Sequence, residues 1–235
     1  MNLPSLISVA VAGGAIAVFI AALFLLSLLV PGRRLAGVVQ PDGRRHLYTL
    51  NGLALFLIVL AAVTIIESSG FSLGILLRWY WALFVAANIM AFAATGLMMW
   101  LARGTVPIGL RSYYYGALRD PTLFGIDLKL FSYRPSLIGL ALFNIACATY
   151  QREATGTTNL AMALYLGMSL IYVANYFQFE YGMIFTWDIV EERFGWMLIW
   201  GDYVLVPFFY CIPGMALAFY PVELSSAAAG GLGLL

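Results

Sequence analysis

The sequence predicts an all-α, polytopic membrane bundle of about six spans plus a partial seventh. Three observations carry that expectation. Hydrophobic residues make up 63% of the 235 and charged residues only 10%. The mean hydropathy is +0.93. The apolar residues also fall in charge-free runs, several of them close to the roughly 20 residues that cross a bilayer as a helix.

The runs are 1–32, 47–66, 79–102, 135–151, 154–179 and 203–222. The first lacks a basic flank and is too long for a signal peptide, so it reads as a retained span. Pro31–Gly32 ends it. PDGRR, from Pro41 to Arg45, reads as a turn, and the second span follows with Asn51 near its mouth. Trp79, Tyr80 and Trp81 open the third span and Trp100 closes it, as aromatic rings at the bilayer interface do. Arg134–Pro135 is expected to start the fourth. A last apolar run, 224–235, is too short to cross and reads as a half span.

Loop 33–45 carries Arg33, Arg34, Arg44 and Arg45, and loop 103–134 carries Arg103, Arg111, Arg119, Lys129 and Arg134. The intervening loops offer only Arg78 and Arg152. This asymmetry predicts cytoplasmic placement for both basic loops and an outside N-terminus. Loop 103–134 is also aromatic, with Tyr113, Tyr114, Tyr115, Phe124 and Phe131, which argues for an ordered interfacial segment.

Several function classes drop out. Cys147 and Cys211 fall inside predicted spans and His46 is the single histidine, so no metal site is expected. No phosphate-binding glycine motif and no basic-aromatic stripe for nucleic acid is present.

The chemistry candidates lie in 180–202, EYGMIFTWDIVEERFGWMLIWGD, where acids interleave with Trp187, Phe194, Trp196 and Trp200. Such a segment dips into the interface or lines a cavity. Glu191 and Glu192 read as solvated. Glu180 is either a helix-end residue in the headgroups or a site residue. Asp188 is either a helix N-cap or functional. Asp202 has apolar residues before it and a span after it, where a carboxylate costs a few kcal/mol, and reads as functional. Tyr210 follows eight residues later, close to two α-helical turns, which predicts a face shared with Asp202.

Beyond these features, three ordered blocks resemble the sterol reductase family, the membrane enzymes that reduce the C14, C7 or C24(28) double bonds of sterols. They are PGRRLAGVVQPDGRRHLYTLNGLALF, YGALRDPTLFGIDLKLFSYRPSLIGLALFN and TWDIVEERFGWMLIWGDYVLVPFFY, with PVELS after the next helix. The resemblance runs from about residue 30 to the end. It implies a reductase in which a protein acid protonates the alkene and NADPH delivers hydride. By that resemblance Asp202 and Tyr210 are the catalytic candidates. Glu180, Asp188, Trp196, Trp200 and Asn175 are implied on the substrate side, and Asp127, Lys129 and Arg134 in support.

Some positions depart from the family pattern. Asn175 stands where Asp is common and Gln178 where Trp is common, while Glu191, Glu192 and Arg193 replace a His/Thr-Asp-(Gly/His) run. FGWMLIWGD looks nearer the C7 members, so the resemblance favours the C7 bond, with C14 next. The family's cofactor block, Gly-Trp-Trp-Gly-x-x-Arg-His-x-Asn-Tyr, is not in this sequence. The expectation is a single membrane domain, 1–235, forming the substrate side of a reductase. It is expected to be inactive unless a complementing C-terminal chain completes it. The alternative is a sterol- or hopanoid-binding membrane protein without catalysis. The expected partners are a sterol or related polycyclic lipid and the membrane lipids, with no nucleic acid.

Overall fold

The computed structural model describes residues 3–39, 43, 45–104, 106–225 and 231. The first helix, α1 (Leu6–Leu29), begins at Ser5, whose hydroxyl accepts the Ser8 amide at 3.1 Å. An antiparallel hairpin follows, β1 (Arg33–Val39) against β2 (Arg45–Leu50). Next come α2 (Gly52–Ser68), a single turn α3 (Ile75–Arg78) and α4 (Tyr80–Leu101). The connection to α6 holds α5 (Leu110–Tyr115) and a two-residue-per-strand hairpin, β3 (Thr122–Leu123) and β4 (Ile126–Asp127). Then come α6 (Leu128–Thr155), α7 (Leu160–Gln178) and two short turns, α8 (Glu180–Met183) and α9 (Trp187–Val190). The last membrane-length run starts as α10 (Trp196–Trp200), widens into a π-helix (Gly201–Phe209) and ends as α11 (Ile212–Phe219).

Among the described residues, five helices are long and apolar enough to cross a membrane: α1, α4, α6, α7 and the continuous run Trp196–Phe219. The expected second span, α2, has 17 residues and falls just short. The bundle is all-α and polytopic, as the charge-free runs predict. The partial seventh span at 224–235 lies almost wholly outside the described residues, as do Pro41, Asp42 and Arg44 of the expected turn.

Three boundaries differ from the sequence expectation. Residues 33–39 and 45–50 pair as two strands, so the second helix starts at Gly52 and not at 47. The fourth helix starts at Leu128, because Asp127 caps it by accepting the Leu130 amide at 2.8 Å. Pro135 therefore lies inside the helix instead of opening it. The sixth helix starts at Trp196, which places Asp202 within the helix.

Helix α6 is the central element, packing on α1, α2, α3, α7, the π-helix and α11. Its small residues make this possible: Ser132, Ser136, Ala141, Ala146 and Ala148 are all buried. Small side chains let helix backbones approach closely in a membrane. In the β3–β4 hairpin, Phe124 (φ 49°) and Gly125 (φ 80°) make the two-residue turn, the conformation that matches the twist of paired strands.

Candidate active site

Polar side chains gather where α6 begins, under the β1–β2 hairpin and the turns α8 and α9. Asp202 stands in the first turn of the π-helix and is 6% exposed. Its Oδ2 meets the hydroxyl of Ser132 on α6. The same Ser132 oxygen lies 2.7 Å from the Lys129 carbonyl. One hydroxyl proton thus faces two acceptors.

The next residue, Tyr133, donates its hydroxyl to Asp188 Oδ2 at 3.0 Å. Asp188 sits on the first turn of α9, and Thr186 holds the N-cap position, so Asp188 is not the N-cap. The Tyr133 ring lies 5.8 Å from the Tyr176 ring on α7. The Tyr176 hydroxyl is buried and has no hydrogen-bond partner among the described residues.

Glu180 is a buried ion-pair partner and not a headgroup residue. Its Oε1 takes Arg134 Nε and Nη2, each at 3.3 Å, and its Oε2 takes the Gly52 amide at 3.0 Å. Arg134 Nη2 also reaches the Thr49 carbonyl at 2.7 Å. A Cβ on Gly52 would meet the Phe177 ring and Glu180 Oε1, so only glycine fits there.

Lys129 is 1% exposed. Its Nζ donates to the carbonyls of Ile189 at 2.6 Å and Glu192 at 2.9 Å, and pairs with Asp120 Oδ1 at 3.1 Å. A cation on the last carbonyls of α9 suits the helix dipole. Asp127 is buried, and burial pushes its carboxyl above the usual carboxylate range. The Leu130 amide, Lys129 and His46 oppose that rise, and burial outweighs them. His46 Nε2 lies 3.7 Å from Asp127 Oδ2.

The remaining candidates lie elsewhere. Trp196 and Trp200 stack at 5.3 Å, and Trp200 Nε1 donates to Asn88 on α4 at 3.0 Å. Asn175 is exposed on the outside of α7. Tyr210 is 53% exposed, whereas Asp202 is buried. The two do not share an environment, although both belong to the same π-helical stretch, Asp202 in its first turn and Tyr210 at its C-cap. Ser132, Tyr133 and Tyr176 escaped the sequence reading, since hydroxyls within apolar helices carry no distinctive pattern. The signal available was their neighbourhood: Ser132 and Tyr133 sit between Lys129 and Arg134 in KLFSYRP.

An apolar cleft of about 420 Å³ opens between α1, α4, the start of α6 and the Trp196–Phe219 helix, walled by Ile16, Phe24, Met90, Phe131, Phe194 and Tyr203. A second cleft of about 190 Å³ shares Ile16, Ile20 and Tyr203 and runs on past Pro135 and Pro207. Asp202 lines neither, while its neighbour Tyr203 lines both. The acid and the clefts therefore lie on different sides of one helical turn.

Residues 10–235 match the profile described as Ergosterol biosynthesis ERG4/ERG24 family. The chain belongs to that family. Among its relatives is a Delta(14)-sterol reductase of Methylotuvimicrobium alcaliphilum, 35% identical over 85% of this chain and 48% of the relative. A Delta(14)-sterol reductase of Dictyostelium discoideum is 36% identical over 78% of this chain and 41% of the relative. A probable 7-dehydrocholesterol reductase of Acanthamoeba polyphaga mimivirus is 33% identical over 81% and 45%. The chain spans about half the length of the curated relatives it matches. As a member of the ERG4/ERG24 family with five membrane-length helices, it is an integral membrane protein.

Proposed function

We propose that this chain forms the substrate side of a sterol double-bond reductase, with Asp202 as the proton donor to the alkene. The observation that carries the proposal is the Ser132 hydroxyl between two acceptors, Asp202 Oδ2 and the Lys129 carbonyl. A hydroxyl has one proton. If it goes to the Lys129 carbonyl, the Asp202 contact is satisfied when Asp202 carries a proton of its own. A buried carboxylic acid within a membrane-crossing helix is a suitable general acid.

Family resemblance supplies NADPH as the second reactant. The cations around Asp202 are not free to bind its phosphates. Lys129 and Arg134 are buried and committed to partners, and the surface groove at Arg111 and Arg193 also carries Glu191 and Glu192. The step assigned to this chain is therefore proton transfer alone. NADPH and any complementing segment bind through other residues.

The larger apolar cleft, about 420 Å³, is within the size range of small-molecule sites and offers room for the part of a polycyclic lipid that lies away from Asp202, which does not line it. The nine-to-two bias of Lys and Arg supports a cytoplasmic placement for the Asp202 end of the bundle. FGWMLIWGD favours the C7 bond over C14.

The test is reduction of a C7 and a C14 sterol diene by membranes carrying the gene's full product and NADPH, with the products read by mass spectrometry. The expected result is reduction, faster on the C7 diene, that Asp202→Asn abolishes while sterol photolabelling survives. Reduction unaffected by Asp202→Asn would overturn the assignment. Photolabelling without any reduction would replace it with a sterol-binding role.

A further inference from the structure

An acid that gives its proton away must be recharged before it can act again. Asp202 is 6% exposed and its hydrogen-bond partner is a serine on a buried helix face, so water does not reach it directly. The other carboxyls at this end of the bundle are mostly spoken for. Glu180 is held by Arg134 and the Gly52 amide. Asp127 caps α6. Asp188 differs: it is part-exposed, and the partner of its Oδ2 is the Tyr133 hydroxyl at 3.0 Å.

Tyr133 follows Ser132 directly, so consecutive residues of α6 hold the two acids. Against the Tyr133 ring, at 5.8 Å, lies Tyr176, whose buried hydroxyl has no hydrogen-bond partner among the described residues. A buried unpaired hydroxyl is costly and calls for a reason. The groups facing this cluster are Tyr133 on α6, Tyr172 and Tyr176 on α7, Glu180 with Arg134 at α8, Asp188 on α9, and Asp202 and Tyr203 on the π-helix.

We propose that Asp188 and Tyr133, with the buried and unpartnered Tyr176 hydroxyl beside Tyr133 as the next carrier, form a relay that returns a proton from water to Asp202 after each turnover. Asp188 takes a proton from water and passes it to the Tyr133 oxygen. As the Tyr133 hydroxyl, which donates to Asp188 at rest, turns toward Tyr176, its own proton moves to the Tyr176 oxygen and the Tyr176 proton to the Asp202 carboxylate. One O–H bond breaks for each that forms, and the net change is one proton moved from water to Asp202. The inference rests on Asp202 being the proposed acid, and Asp188 and Tyr133 act through it.

The test is carboxyl hydrogen–deuterium exchange, followed by infrared spectroscopy on the reconstituted full-length protein after transfer to D₂O, with no sterol and no NADPH. The protonated-carboxyl band that disappears in Asp202→Asn reports on Asp202. The expected result is exchange slowed on the order of 100-fold in Tyr133→Phe and Asp188→Ala, the low end of what a positioned proton-transfer group contributes. Formate should restore the rate in Asp188→Ala and do nothing for Tyr133→Phe. A purely structural role for Asp188 would not respond to formate. Equal exchange rates in wild type and both variants would overturn the relay, as would the lack of any band lost in Asp202→Asn. If Tyr133→Phe does not fold, Asp188→Ala with and without formate still decides. Because no sterol is present, failure of the relay and failure of sterol reduction are read separately.

Discussion

Arg134 and Glu180 meet in the interior with side chains only 2% and 4% exposed, their charged groups 3.3 Å apart. The pair ties the start of α6 to α8. Through the Thr49 carbonyl and the Gly52 amide it also fixes the chain between β2 and α2. Three segments distant in sequence, at 49–52, 134 and 180, are thus held by one guanidinium and one carboxylate.

Breaking that pair from one side leaves a buried charge without its partner. Glu180→Ala should destabilise the protein by about 3–5 kcal/mol, the usual consequence of removing one member of a buried pair. Glu180→Gln, which keeps an acceptor for the Gly52 amide, should cost less. Thermal unfolding in detergent measures both, and an Ala variant that melts like wild type would show the tie to be dispensable.

Gly116 and Gly195 cross backbone to backbone, where the loop after α5 passes the start of α10. A Cβ on Gly195 would run into the Gly116 amide and Cα. Gly195→Ala should therefore destabilise by about 1–3 kcal/mol through overpacking. Gly201→Ala meets nothing within 4 Å and should be neutral or stabilising by up to about 1 kcal/mol, as alanine generally is over glycine inside a helix. Equal melting of the two variants would contradict the close crossing.

For the proposed reaction, Asp202→Asn should lower sterol reduction by roughly 10²–10⁴-fold, the contribution of a positioned general acid. Ser132→Ala removes one hydrogen bond to that acid and should cost about tenfold. Both should leave photolabelling by a sterol probe intact. Rates measured in the same membranes, normalised to protein amount, give the comparison.

Asp127 sets a pH dependence at the base of α6. Its folded-state pKa is raised, with burial the main cause. The native protein then holds this proton over a range where the unfolded chain, with a pKa of about 3.9, has lost it. Stability from this group is present below about pH 4 and declines as pH rises through the raised value. Asp127→Asn keeps an acceptor for the Leu130 amide and cannot ionise. Its melting temperature should fall less than that of wild type as pH rises from the acidic side. Parallel curves would mean that Asp127 does not titrate with folding.

The bundle was legible because the bilayer imposes one strong rule, and charge-free runs reveal it. The hairpin was not. Leu47–Leu50 is apolar enough to merge with the run that follows, and the bulged pairing between Ala36 and Val39 blurs the strand alternation. Pro135 misled in the other direction, since a proline usually marks a helix start, whereas here the start belongs to Asp127. At the site, Asp202 announced itself as a charge in an apolar stretch. Asp127, Lys129 and Arg134 emerged as site candidates only through family resemblance, Glu180 stood between two readings, and the structure brings the four to the same end of the bundle. Asn175 and Tyr210 did not join them, because which way a helical residue faces depends on turn geometry that spacing alone does not reveal. The i to i+5 bonding after Gly201 has no sequence signature strong enough to anticipate.

That widened coil acts as a phase shifter. A π-helical stretch is what an α-helix becomes when it absorbs an extra residue, and such stretches recur at functional sites. Upstream of it, the tryptophans of α10 are oriented toward α4 and α5; downstream, α11 packs on α6 and α7. The extra turn width lets those two orientations be chosen independently, with Asp202 at the joint between them. Removing one residue from 201–209 would return the coil to α-helical winding and rotate one half against the other. The chemical identity of every side chain near Asp202 would be untouched, yet the carboxyl would no longer meet Ser132.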